Sequence, residues 1–187
     1  MVRCNLSVLL AERNLKITRV SEATGISRTT LTSLANNYGH GIQFDTINKL
    51  CNFLSIKPDQ LISYVPVDIK VKKVSIDNDN ILIIDLEIIR NFKTYECSLT
   101  GYCYFNPSAF NDKIIDFDIS IELWDEESNN DPNIAKENLI IINAFKLLTT
   151  PFKNDLENEI ISEILENFGD LCDDCPAISF SWPNELL

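Results

Sequence analysis

The sequence predicts two units of different class: an all-α bundle of five short helices over residues 1–66, then an α+β domain over residues 67–187 with an antiparallel meander of about four strands plus two helices. Three observations predict this. In the first third, apolar residues recur at helical spacing between glycine, asparagine and proline breaks. After Pro66 the pattern turns to alternation rich in β-branched residues, and helical spacing returns at about Ile134. Charge divides at the same boundary. Residues 1–66 hold seven of the 16 basic side chains and four of the 28 acidic ones, a net +3, which leaves nine and 24, a net −15, for the rest. The whole-chain value of −12 argues against a partner as negative as nucleic acid, but it averages two unlike lobes.

Helix one covers about Leu6 to Asn14, with Leu6, Leu9 and Leu10 on one face. Helix two fits Thr18–Thr24, and Gly25 follows where a left-handed terminating residue is wanted. Ser27 caps helix three, Arg28 to about Asn36, whose Leu31 and Leu34 face inward. Residues Asn37 to Gly41 form a loop. Helix four starts at Asp45 or Thr46 and ends at Leu54, with Ile47, Leu50, Cys51 and Leu54 as its stripe. Pro58 opens helix five, through Leu61 and Ile62, and Pro66 closes the unit.

In the second unit, Val67–Val71 and Asp85–Ile88 alternate as strands do. Thr94–Phe105 is rich in aromatics and interrupted by Gly101, read as a bulge or bend. Ile115–Leu123 places apolar residues on one face and acids with a serine on the other. Gaps at Asp77–Asp79, Asn91–Lys93 and Asn106–Asn111 connect a meander. A loop, Glu127–Asn133, leads into a helix over Ile134–Leu148. Another helix runs from Pro151 to about Phe168, with Leu156, Ile160, Ile161, Ile164 and Leu165 inward. Its Asp155, Glu157, Glu159, Glu163 and Glu166 read as a solvated face.

No stretch approaches ~18 consecutive apolar residues, so no transmembrane helix is expected. Glu12 and Arg13 interrupt the first apolar run, which therefore does not read as a signal peptide. A reducing cytoplasmic location follows, with the six cysteines unpaired. Cys4, Cys51, Cys97 and Cys103 are scattered and read as small buried hydrophobes. Cys172 and Cys175 are closely spaced, but no second ligand pair accompanies them and the single histidine, His40, is remote. Asp173 and Asp174 between them raise rather than lower a thiol pKa, so this segment reads as a turn. Asp116, Asp118 and Glu122 alternate on a sheet face without a histidine or a glycine-rich phosphate loop, and read as solvated surface. No enzyme, metal or cofactor is expected.

The segment Ile17–Leu31 is a helix-turn-helix signature. Two short helices crossing steeply need a tight turn, and Gly25 reaches the left-handed conformation without a Cβ clash. Val20, Ile26, Leu31 and Leu34 fill the angle, while small Ser21 lets the helices approach. The second helix then offers Arg28, Thr29, Thr30, Thr32 and Ser33 to a major groove. Threonine and serine are weak helix formers, so their density there suits contact better than scaffolding.

With this motif, residues 1–66 resemble the lambda-repressor-like (Cro/cI, XRE) family of bacterial and phage transcriptional regulators. The resemblance covers about a third of the chain. Phe44–Cys51 is similar to the family's fourth helix and Pro58–Pro66 to its usual ending. The resemblance implies that Arg28 and Thr29 read base edges, that Thr30, Thr32 and Ser33 meet bases, and that Asn36 binds phosphate. It also implies phosphate contact from Ile17, Thr18 and Arg19. Two positions depart from the family: Ile17 stands where many members carry glutamine, and Ser21 where alanine is common.

The chemistry fits. Arginine bonds guanine O6 and N7 together, and threonine offers a hydroxyl plus a methyl for thymine. Lys16, Arg19 and Arg28 supply charge near the phosphates, with Lys49 and His40 as further sources. The first expectation is a sequence-specific transcriptional regulator, a repressor, binding double-stranded DNA through residues 1–66. One such helix reads a few base pairs, so a homodimer on a palindromic operator is expected. The acidic domain would serve as a dimerisation module, a sensor or a protein-binding surface, and its charge keeps it off anionic membranes. The alternative is a phage-type interaction or inhibitor protein, anti-nuclease or anti-CRISPR-like, whose acidic domain binds a protein partner while residues 1–66 autoregulate its promoter.

Overall fold

The computed structural model describes residues 1–38, 41–108, 113–124, 133–168 and 172–187. They form two units, Met1–Val65 and Pro66–Leu187. No helix among them is long and apolar enough to cross a membrane.

The first unit contains α1 (Leu6–Glu12), α2 (Ile17–Thr24), α3 (Arg28–Ala35), α4 (Phe44–Leu54) and the single turn α5 (Pro58–Leu61). Each contributes an apolar stripe to one core: Leu6, Leu9 and Leu10 from α1, Val20 from α2, Leu31 and Leu34 from α3, Leu50 and Leu54 from α4, and Leu61. Burying each such side chain contributes about 1.5–3 kcal/mol. Local chemistry sets the ends. Gly25 stops α2 at φ 71°, and Ser55 stops α4 at φ 54°. The Gln60 side chain accepts from the Lys57 amide (2.9 Å) across the first turn of α5.

This unit is not all-α. A two-stranded antiparallel clasp joins its ends, β1 (Val2–Cys4) to β2 (Ile62–Tyr64), so Ile62 belongs to a strand and not to the fifth helix. The Met1 amino group donates to the Val65 carbonyl (2.8 Å), and the Val65 amide donates to the Met1 carbonyl (3.0 Å). Asn5 donates to the Gln60 carbonyl (3.1 Å) and to Ser63 Oγ (2.8 Å). Strands of three residues are too short to display a period of two, and these partners lie far apart in sequence.

The second unit is a mixed five-stranded sheet, β3 (Asp68–Ile76), β4 (Ile81–Arg90), β5 (Lys93–Pro107), β6 (Ile114–Glu122) and β7 (Cys172–Ser181), in that order. The first four run antiparallel. The fifth strand departs from the expected meander: β7 runs parallel to β6, which it reaches through α6 (Ile134–Phe145) and α7 (Thr150–Phe168). A parallel neighbour requires such a crossover. Cys172–Cys175 therefore lies in strand and not in a turn. Asp173, Asp174 and Pro176 are depleted in strands, which masked it in sequence, and the sheet edge is where a strand tolerates proline.

One face of the sheet is buried, with Leu82, Ile84, Leu86 and Ile88 from β4, Leu99 from β5, and Phe117, Ile119 and Ile121 from β6. Ile141 and Phe145 of α6 and Phe152, Leu156, Ile160 and Ile164 of α7 are buried likewise. Burial pushes the Cys97 and Cys103 thiols up to about 11, so both stay protonated at neutral pH. Among the described residues no three of His, Cys, Asp and Glu gather as a metal site.

Two further expectations need correction. The acidic face of α7 is not purely solvated. Glu157 accepts from the indole N–H of buried Trp182. Glu159 remains exposed, with the Val71 amide against its carboxyl. Helical periodicity places these acids outward but does not register that a sheet edge and the closing segment reach them. Gly101 is not a bulge either: β5 keeps register with both neighbours there, and the breaks among the antiparallel pairs fall at Val71/Lys73 and Asn106/Pro107. Its Cβ would run into the Ser120 carbonyl oxygen and lie 3.1 Å from Ile121 Cα. The glycine thus permits close approach of β5 and β6. Replacing Gly101 by alanine is expected to lower the stability of the second unit by about 1–3 kcal/mol, measured by urea denaturation, because a backbone has to shift.

Candidate nucleic-acid interface

The candidate interface is built on α2, the turn Gly25–Ser27, and α3. The turn is fastened by side chains. Ser21 Oγ donates to the Ile26 carbonyl (2.6 Å), Thr24 Oγ1 donates to the Val20 carbonyl (2.7 Å), and the Ile26 amide donates to Thr24 Oγ1 (3.3 Å). A serine at position 21 thus adds a bond across the turn that alanine cannot make. No atom lies within 4 Å of a Cβ at Gly25, so its requirement for glycine is conformational, set by φ 71°.

Ser27 caps α3 as expected, accepting from the Thr30 amide (3.0 Å). Leu31 and Leu34 turn inward, and the other side of the helix faces solvent. Arg28, Thr29, Thr30, Thr32 and Asn36 are exposed and Ser33 is half-buried. The Thr30 hydroxyl bonds Ser27 Oγ at 2.8 Å, which leaves Arg28, Thr29 and Thr32 as the less encumbered groups. Thr18 and Arg19 are exposed in the first turn of α2, whereas Ile17 is half-buried against the core. Lys49 forms an i,i+4 pair with Asp45 at 2.7 Å, which reduces its value as a free cation. His40 lies outside the described residues. Tyr38, just beyond α3, is exposed.

One residue that sequence reasoning passed over fixes the far end of α3. Asn37, at φ 57°, accepts from the Cys4 amide (2.7 Å) and donates to the Cys4 carbonyl (3.2 Å) through its side-chain amide. A primary amide presents one donor and one acceptor side by side, so here it mimics a neighbouring strand on β1. The signal available in sequence was an asparagine just past a helix end, where a left-handed residue belongs. Burial raises the Cys4 thiol beside this contact, with the Leu6 amide acting the other way.

A family model described as the Cro/C1-type HTH DNA-binding domain matches residues 5–67. The HTH-type transcriptional regulator YozG of Bacillus subtilis (strain 168), itself uncharacterized, is 32% identical over 60 residues, 32% of this chain and 71% of that protein. The chain belongs to the Cro/C1-type helix-turn-helix family. The crystal structure of a proposed DNA-binding protein from Bacteroides fragilis is 27% identical, covering 34% of this chain and 100% of that one at a TM-score of 0.32. The family match ends just inside the second unit.

Within this Cro/C1-type domain, α3 is held at both ends, by the Ser27 cap and by Asn37 on β1. Replacing Asn37 by alanine is expected to cost the first unit about 1–3 kcal/mol in chemical denaturation, because partly buried Cys4 groups lose their partner. Asn37→Asp should recover little, since a carboxylate accepts from the Cys4 amide but cannot donate to its carbonyl.

Proposed function

We propose that the chain is a sequence-specific DNA-binding transcriptional regulator, a repressor that acts as a homodimer on a palindromic operator. The observation that carries this reading is the division of α3 into two faces. Leu31 and Leu34 are buried, while Arg28, Thr29 and Thr32 present a guanidinium and two hydroxyl–methyl pairs to solvent. Those groups match base edges in a major groove. Thr18 and Arg19 at the start of α2, with Asn36 at the end of α3, are the proposed phosphate contacts, and Thr30 and Ser33 complete the reading face. The net +3 of residues 1–66 favours approach to DNA. The −15 of the remainder opposes it, so an acidic second unit keeps non-specific binding low. That unit is proposed to supply the dimer contact.

A second reading has an observation of its own. On the solvent face of the sheet, Tyr102 and Tyr104 stack with centroids 6.0 Å apart, beside Asp116 and Asp118, which both accept from Asn106. Such a face suits a basic protein partner and would serve the inhibitor alternative.

Selection from a randomised duplex pool with the full chain is expected to recover an inverted repeat. Arg28→Ala should weaken that site by about ten- to a hundredfold in gel shift and relax one base position. Arg19→Ala should weaken all sequences alike and flatten the salt dependence. Failure to enrich any sequence would sink the reading in favour of the inhibitor alternative.

A further inference from the structure

The hairpin between β4 and β5 closes on two residues, Asn91 and Phe92, between the paired Arg90 and Lys93. Both stand at positive φ, 50° and 61°. A two-residue hairpin of this type needs positive φ at both places, which suits asparagine and glycine and strains phenylalanine. The Phe92 ring recovers nothing from its own chain, because its relative exposure is 105%. Strain retained together with a fully exposed aromatic points to a contact outside the folded chain.

A cavity opens near this hairpin. It has a volume of about 200 Å³ and is lined by Ile88, Arg90 and Tyr95 of the two joined strands and by Ile140, Asn143 and Ala144 of α6. Its volume is large enough for a phenyl ring, with Ile88, Ile140 and Ala144 as apolar wall beside Arg90 and Asn143. Leu139, exposed beside Ile140, extends the apolar surface. We propose that Phe92 of one copy enters this cavity in a second copy and receives that copy's Phe92 in return, forming a two-fold dimer contact. Knob and hole on one molecule give the self-complementary patch that a closed two-fold interface requires. The guanidinium of Arg90 meets the incoming ring as a cation on an aromatic face. Arg90 and Lys93 flank the knob and make the hairpin locally basic within a unit of net −15. A lipid surface fits less well, since it has no use for the cavity.

This inference rests on the homodimer in the proposed function and names its contact. Sedimentation of the full chain over a concentration series tests it. Wild type is expected to dimerise. Phe92→Gly should weaken association by about tenfold or more while its thermal midpoint stays level or rises, because glycine relieves the positive φ. Asn143→Trp, which fills the cavity from an exposed position, should weaken association as well. A dimer indifferent to both substitutions overturns the contact and leaves the homodimer standing through another surface. A wild type that stays monomeric throughout overturns both. Binding of that monomer to phosphatidylserine vesicles would assign the hairpin to lipid instead.

Discussion

What α3 offers to solvent depends on the burial of Leu31 and Leu34 on its opposite side. A helix of eight residues is too short to persist in water by itself, so packing has to hold it. These two leucines join Leu6, Leu9, Leu10, Val20, Leu50 and Leu54 in one core, which fixes the rotation of α3 about its axis. With the rotation fixed, Arg28, Thr29 and Thr32 have no choice but to face outward. The Ser27 cap and the Asn37 bracket then prevent the helix from sliding along its axis. A polar solvent-facing side is thus the by-product of an apolar one.

Charge is partitioned with the same economy. The unit that carries α3 has a small positive excess, and the acidic residues gather on the sheet and on α7. Some of those acids have structural duties: Glu157 accepts the Trp182 indole, Asp85 accepts from Ser98 Oγ (2.9 Å), and Glu87 pairs with Lys70 (3.2 Å). Others stand on the open face of the sheet beside exposed tyrosines. Acidity in this unit is therefore both scaffold and surface.

Legibility in the sequence followed the range of the interaction. Helices α1 to α4 declare themselves because their stripes, the Ser27 cap and Gly25 act within a few residues of one another. Strands β3 to β6 are visible for the same reason, through alternation. The clasp of β1 and β2, the strand β7, the role of Gly101 and the Asn37 bracket were not visible, since each joins segments distant in sequence. The exposure of the candidate site residues was legible for the most part, because the helix-turn-helix is itself a local motif. Tertiary structure refined them by engaging Thr30 with Ser27, Lys49 with Asp45 and Ile17 with the core.

By itself, the sequence determined the helix-turn-helix, the polar composition of α3 and the division of charge between two lobes, because spacing, capping and composition are local quantities. Tertiary structure decided how the ends of the first unit are tied, where the fifth strand enters and which acids are spent on scaffolding. It also decided that a strained Phe92 stands clear of its own chain near a cavity between β4, β5 and α6. Those outcomes depend on which distant backbones meet, and no periodicity along the chain encodes that meeting.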